Sequence, residues 1–177
     1  GAGLSSASGL TYSGERFENK FSDFIERYGM KDMYSAGFYP FSTQEEKWAY
    51  WSKMIYLNRY KNDANPSYQK IYELFKDKNY FVITTNVEHQ FQLAGFDKKR
   101  LFYMQGDYGL FQCSLPCHNK TYDNKEIIFK MINSIKDNKI PSSLIPRCLL
   151  CGRHMTTNLR CDNHFFEDLG WHQAYKR

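Results

Sequence analysis

No stretch of this sequence is apolar over anything near the ~18 residues that a membrane-crossing helix needs, which excludes a helical span. It also has no dense Lys/Arg tract; the net charge of +5 is modest, and a nucleic-acid role has little support. Internal repeats and low-complexity segments are missing, which excludes solenoids and prion-like tracts. The first residues are small and glycine-rich rather than basic and then apolar, so no secretory leader is read there, and a soluble cytoplasmic protein is expected. No strand precedes Gly1 and no closing element follows "WHQAYKR", so the chain is expected to be an excerpt of a longer polypeptide.

What is present is a chain of 177 residues with 42% hydrophobic content, enough for one core or one core with a small module. Aromatic content is 18%, which suits thick aromatic packing or an aromatic-walled pocket. Gly1 to Gly9 reads as a loop of small residues leading into a helix. Phe17, Phe21, Phe24 and Ile25 recur at helical spacing over 17–29, with Gly29 as the stop. Ser42 with Glu45 reads as a capping box for a helix over about 43–61, whose Trp48, Trp51, Met54 and Ile55 face the core. Asn65-Pro66 opens another helix, with Tyr68, Ile71, Tyr72, Leu74 and Phe75 as its apolar stripe. Buried strands are expected at 80–85 and 100–105, a short helix at 87–94 ending at Gly95, and a further helix at 123–137. Strands alternating with helices predict an α/β fold with parallel pairing.

Five cysteines are present. Cys113 and Cys117 form one close pair, Cys148 and Cys151 another, and thirty residues lie between them. Two such pairs can hold one tetrahedral Zn²⁺ while the intervening chain loops out; Gly152 relieves crowding at the second knuckle. Free thiols or disulfides are the alternatives, and His118, His154 and Cys161 are fallback ligands. A four-cysteine site has no open position, so its metal is structural. The Gly1-Ala2-Gly3 opening suits either close approach to a pyrophosphate or a tight turn with positive φ.

Three stretches in fixed order carry a family resemblance. Gly1-Ala2-Gly3-Leu4-Ser5-Ser6-Ala7-Ser8-Gly9 resembles the sirtuin phosphate-binding signature. Thr84-Thr85-Asn86-Val87-Glu88 resembles the Gln-Asn-Ile-Asp segment, and Gln105-Gly106 before the two cysteine pairs resembles the His-Gly segment and zinc module. Thr11-Tyr12-x-Gly14-x-Arg16-Phe17 and the stretch from Gln105 to Cys117 are similar to class M sirtuins, the microbial branch linked to macrodomain proteins.

The resemblance implies a Rossmann-like parallel sheet, incomplete here, with an inserted zinc-ribbon small domain. Residues 1–107 would be the N-terminal part of the NAD-binding domain, 108–160 the zinc module, and 161–177 a return segment. It implies NAD in the cleft, with Gly1, Ala2, Gly3, Ser5 and Gly9 along the pyrophosphate. Tyr12, Arg16 and Phe17 would form the loop over the cofactor. Thr85 would be part of the cofactor site, Asn86 would place ribose and a water, and Glu88 stands where the family holds the nicotinamide amide. Gln105 stands where deacetylating members keep a histidine base. An amide donates and accepts hydrogen bonds but takes no proton near neutrality, and losing a general base costs ~10²–10⁴-fold.

The expected activity is therefore mono-ADP-ribosyl transfer from NAD to protein, with Asn86 and Gln105 catalytic. The resemblance suggests a lipoylated glycine-cleavage H-like acceptor and a macrodomain hydrolase as partners. Lysine deacylation, and NAD hydrolysis or sensing, are the competing readings. His89 is expected as a solvated helix residue, Lys98, Lys99 and Arg100 as an exposed turn, and Asp107 as either a cleft carboxylate or a cap. The fragment by itself is expected to bind NAD poorly, because no later adenosine-holding strands follow.

Overall fold

The computed structural model describes residues 1–168; the return segment expected over 161–177 lies largely outside the described residues. Three short helices open the chain: α1 (Ala2–Ala7), α2 (Glu15–Lys20) and α3 (Ser22–Tyr28). The opening is thus helical where a loop was expected, because the hydrogen bonds of Ser5 to Tyr68, Glu88 and Asn86 override the weak helix propensity of its glycine and serines. Gly9 ends that segment with φ 83°, a conformation costly for other residues. The single helix expected over 17–29 is broken at Phe21, and Gly29 closes the second piece in the left-handed region.

Next come α4 (Met33–Ala36) and α5 (Gln44–Ile55). The cap of α5 is one residue later than read from sequence: the Thr43 hydroxyl accepts from the Glu46 N–H and donates to its carboxylate. Instead of continuing as an α-helix to 61, the chain makes a π-helical turn over Tyr56–Tyr60. Helix α6 (Pro66–Phe75) begins at the expected Asn65 cap.

Strands β1 (Val82–Thr84) and β2 (Leu101–Tyr103) pair in parallel, joined through α7 (Gln90–Leu93) and a 3₁₀ turn over Lys98–Arg100. This is the parallel unit that the alternation predicted, shorter at both strands than expected. A second sheet was not foreseen. Strand β3 (Gly106–Cys113) lies between β4 (Tyr122–Asp123) and β5 (Met155–Leu159), all antiparallel. Its "GDYGLFQC" is buried at nearly every position, so it shows neither alternation nor helical period. Helix α8 (Lys125–Ile132) is shorter than the 123–137 expected and packs on α5.

The core is aromatic. Phe17, Phe21, Phe24 and Tyr50 are fully or almost fully buried, and Phe21 meets Phe17 and Tyr50 at ring distances of 5.4 Å each. Trp48 packs edge-on to Phe111 at 4.9 Å, joining α5 to β3. No helix among the described residues is long and apolar enough to cross a membrane.

Candidate functional site

The two segments singled out from sequence begin where the parallel strands end. Asn86–Glu88 follow β1 and Gln105 follows β2. Ligands in open α/β sheets bind beyond the carboxyl ends of the strands. A cavity of about 790 Å³ lies there. Its polar wall includes Ser5, Thr85, Asn86, Glu88 and Gln105, with Ala2 and Tyr12 also on its lining. Met33, Tyr34, Phe38, Trp51 and Met54 form an apolar side.

The polar wall is tied together through one buried carboxylate. Glu88 Oε1 accepts from Ser5 Oγ at 2.6 Å and from the Tyr68 hydroxyl at 2.9 Å. Its Oε2 accepts from the Val87 N–H at 3.1 Å. The Asn86 amide donates to Ser5 Oγ at 3.0 Å, to the Tyr68 hydroxyl at 2.8 Å and to the Gly1 carbonyl at 3.2 Å. Helix α1 is thereby fixed to the segment after β1. Burial pushes the Tyr68 phenol up to about 12, the Ser5 hydrogen bond opposes this, and the Glu88 charge adds to it. Tyr68 therefore stays a neutral donor. The sequence reading saw only an apolar helix stripe there, because tyrosine at helical spacing carries no mark of a polar role.

Gln105 sits in the turn between β2 and β3, half-buried on the cavity wall. The turn is held from outside: the Gln105 carbonyl accepts from Arg160 N–H at 3.0 Å. Gly106 has φ 89°, and a Cβ there would lie 1.9 Å from the Asn158 carbonyl oxygen. No histidine lines the cavity among the described residues. The Tyr12 hydroxyl pairs with Tyr108 at 2.7 Å; burial, offset in part by that hydrogen bond, raises Tyr12 to about 12. The wall thus offers fixed hydrogen-bonding groups, and neither phenol is a base near neutrality.

Several residues expected in the cofactor site do not line this cavity. Phe17 belongs to the aromatic core, stacked on Phe21. The Arg16 guanidinium faces the protein, donating to the Thr11 and Leu57 carbonyls and to Asn58 Oδ1. Burial lowers its pKa, opposed by Tyr12 and Tyr108. Gly3 and Gly9 are absent from the cavity lining, while Gly1 touches the wall only through its carbonyl. Among the unforeseen lining residues are Arg160 and Cys161, brought in by the pairing of Gly106 with Leu159. No local signal in the sequence marks them, because their position follows from a long-range strand pairing. Asp107 is buried and does not line the cavity. It meets His89, which is part-buried in a left-handed conformation rather than solvated on a helix.

Away from the cavity the four paired cysteines converge, with all four sulfurs within 4.8 Å of one another. Cys113 and Cys151 are 3.5 Å apart, and Cys117 and Cys148 3.6 Å apart. A tetrahedron of Zn–S bonds near 2.3 Å spaces its sulfurs by about 3.8 Å, so the set fits that ion. Backbone N–H groups of Cys151 and Leu150 lower the Cys148 thiol to about 6. Desolvation and the crowding of neighbouring sulfurs push Cys117 up to about 12, a conflict that a shared cation removes. His118 Nε2 is 3.5 Å from Cys148 Sγ, beside the cluster, while Cys161 is at the cavity.

No family model matches the chain. It is 40% identical to a protein ADP-ribosyltransferase of Staphylococcus aureus (strain Mu50), over the whole of this chain and 56% of that protein. It is 30% identical to a probable bifunctional ADP-ribose hydrolase/ADP-ribosyltransferase of Fusarium oxysporum f. sp. cubense, over 93% of this chain and 29% of that protein. The chain thus spans about half of the first relative's length and less of the second's. Among solved structures, a Sir2 homologue mutant in complex with 2'-O-acetyl ADP-ribose superposes with TM-score 0.58 at 18% identity. That match covers 93% of this chain and 57% of the other. A Sir2 homologue mutant with ADP-ribose gives 0.54 at 14% identity, covering 96% and 59%. The chain has the Sir2-like α/β fold, with a four-cysteine cluster consistent with a zinc-binding small domain.

Proposed function

We propose that this chain of Sir2-like fold is the catalytic part of an NAD-dependent protein mono-ADP-ribosyltransferase. The observation that carries the proposal is the cavity wall itself: Asn86 and Gln105 border a space of about 790 Å³ that no histidine lines among the described residues. Such a wall suits a reaction that needs positioning and fixed dipoles more than a base.

In that reaction the bond between ribose C1′ and nicotinamide breaks, and nicotinamide leaves with the electron pair. The acceptor's nucleophile bonds to C1′ and releases its proton to solvent. Asn86, held by Ser5 and Tyr68, would orient the ribose, with Thr85 beside it; Glu88 would face the nicotinamide amide. Gln105 would orient ribose or acceptor through its amide. Ala2, Ser5 and Tyr12 would meet the remainder of NAD. Cys113, Cys117, Cys148 and Cys151 would hold Zn²⁺, which supplies rigidity to the small sheet and no open coordination position.

Support for ADP-ribosyl transfer comes from both relatives' names, and support for a protein acceptor from the first, a protein ADP-ribosyltransferase. The finer reading is a class M sirtuin acting on a lipoylated glycine-cleavage H-like carrier. The hydrolase half of the second relative's name is what favours a macrodomain hydrolase as counterpart. Incubation of the full-length protein with NAD labelled in the ADP-ribose and with lipoylated carrier protein tests this. Label on the carrier is expected. Acylated ADP-ribose from an acyl-lysine peptide would establish deacylation instead, and free ADP-ribose alone would establish NAD hydrolysis.

A further inference from the structure

Two side chains that do not line the cavity, His89 and Arg59, meet the carboxylate of a third, Asp107. Asp107 is 3% exposed. Its Oδ2 is bonded to His89 Nδ1, and its Oδ1 accepts from Arg59 Nε at 3.3 Å and from the Gly109 N–H at 2.7 Å. Burial pushes its carboxyl up, but the His89 hydrogen bond and charge, Arg59 and the Gly109 N–H together hold it below the usual carboxylate value.

Each partner reaches Asp107 at some cost. His89 sits at φ 68°, a left-handed conformation that a non-glycine residue keeps only when its surroundings over-determine it. Arg59 is delivered by the π-helical turn, a local departure that recurs at functional sites. A Cβ at Gly109 would lie 2.9 Å from Arg59 Nε and 3.0 Å from Asp107 Oδ1, so a side chain there would push this pair aside. The π turn, the segment after β1 and strand β3 are thus locked at one point.

The position of that point in the chain gives it meaning. His89 follows Glu88 directly, and Asp107 lies two residues after Gln105. Glu88 and Gln105 line the cavity, while His89 and Asp107, which do not, clasp each other. The Tyr108 N–H donates to the Val87 carbonyl at 2.9 Å, alongside the clasp.

We infer that His89 and Asp107, braced by Arg59, are positioning residues that set the spacing between the Asn86–Glu88 segment and Gln105 across the site. The inference rests on the proposed function for its kinetic consequence only. A displacement of about 1 Å at reacting groups costs up to about a hundredfold in rate while leaving much of the binding intact.

The test uses the full-length protein with His89→Ala and His89→Asn; asparagine tolerates the left-handed region and offers an amide donor. Nicotinamide release from NAD is measured as kcat and KM, and amide hydrogen exchange is followed over residues 85–88. His89→Ala is expected to lower kcat about tenfold to a hundredfold with KM little changed, and to speed exchange in that segment. His89→Asn is expected to recover most of both. Should His89→Ala fail to melt cooperatively, Asp107→Asn, which keeps the volume, takes its place with the same expectations. Unchanged kcat and unchanged exchange, or loss in KM alone, overturn the inference. If the unsubstituted protein releases no nicotinamide, the proposed function fails, and the exchange comparison still decides whether the clasp orders the segment.

Discussion

At the scale of single residues, the proposed function gives the side chain at position 105 the task of separating transfer from deacylation. An amide there leaves catalysis without a titrating group at that position. Gln105→His in the full-length protein is therefore expected to add an inflection to the pH–rate profile of nicotinamide release or transfer near about 6.5, the ordinary histidine value. A profile unchanged between pH 5 and 8 would show that position 105 does not touch the reaction. Gly106 next to it is a conformational requirement. Gly106→Ala would drive a Cβ to 1.9 Å from the Asn158 carbonyl and strain a positive φ. A loss of about 2–4 kcal/mol of unfolding free energy is expected in denaturant titration. Both residues stood out in the sequence through the Gln105-Gly106 pair. Tyr68, Arg59 and His89 did not, because each acts through a partner 18 to 48 positions away, and no local spacing encodes that.

At the scale of elements, the cysteine pairs were legible because two close pairs carry their chemistry in their spacing, and the sulfurs do converge. Cys148→Ser removes the proposed ligand whose thiol the local backbone already favours as thiolate. Atomic spectroscopy is expected to find about one zinc per chain before the change and much less after it, with a lower melting temperature. Helices with strong caps, such as α6 behind Asn65, were equally legible. The β3–β4–β5 sheet was not, because a strand buried on both faces has no alternation to read. The π turn also escaped notice. Its residues continue the helical pattern of α5, and only contacts to Arg16, Asp107 and Asn124 show why the register shifts there.

At the scale of the whole molecule, titration of buried groups predicts where the fold fails. Tyr12 and Tyr68 have folded values raised to about 12, so their contribution is complete below the ordinary tyrosine value of about 10 and is lost as pH rises toward 12. Asp107 is lowered in the folded state, so its contribution is complete above the ordinary value of about 3.9 and is lost as pH falls through the folded value. Melting temperatures recorded from pH 2 to 12 are expected to fall at both ends, and Asp107→Asn is expected to flatten the acid limb. An acid limb identical in that variant would remove Asp107 from the account.

By itself the sequence determined the parallel unit, the main helices, the cysteine cluster and the two segments that border the cavity. The first three depend on local periodicity, capping or close spacing, which neighbouring residues express on their own, while the two cavity segments are read from the resemblance to sirtuins. Only the tertiary structure decided that α1 is bound to Asn86 and Glu88 through Ser5 and Tyr68, and that Arg160 and Cys161 reach the cavity. It alone turned Arg16 and Phe17 inward and brought Asp107 against His89. The physical reason is that a buried polar group takes whichever partner the packed chain delivers, and strand pairing and helix docking deliver partners from distant positions.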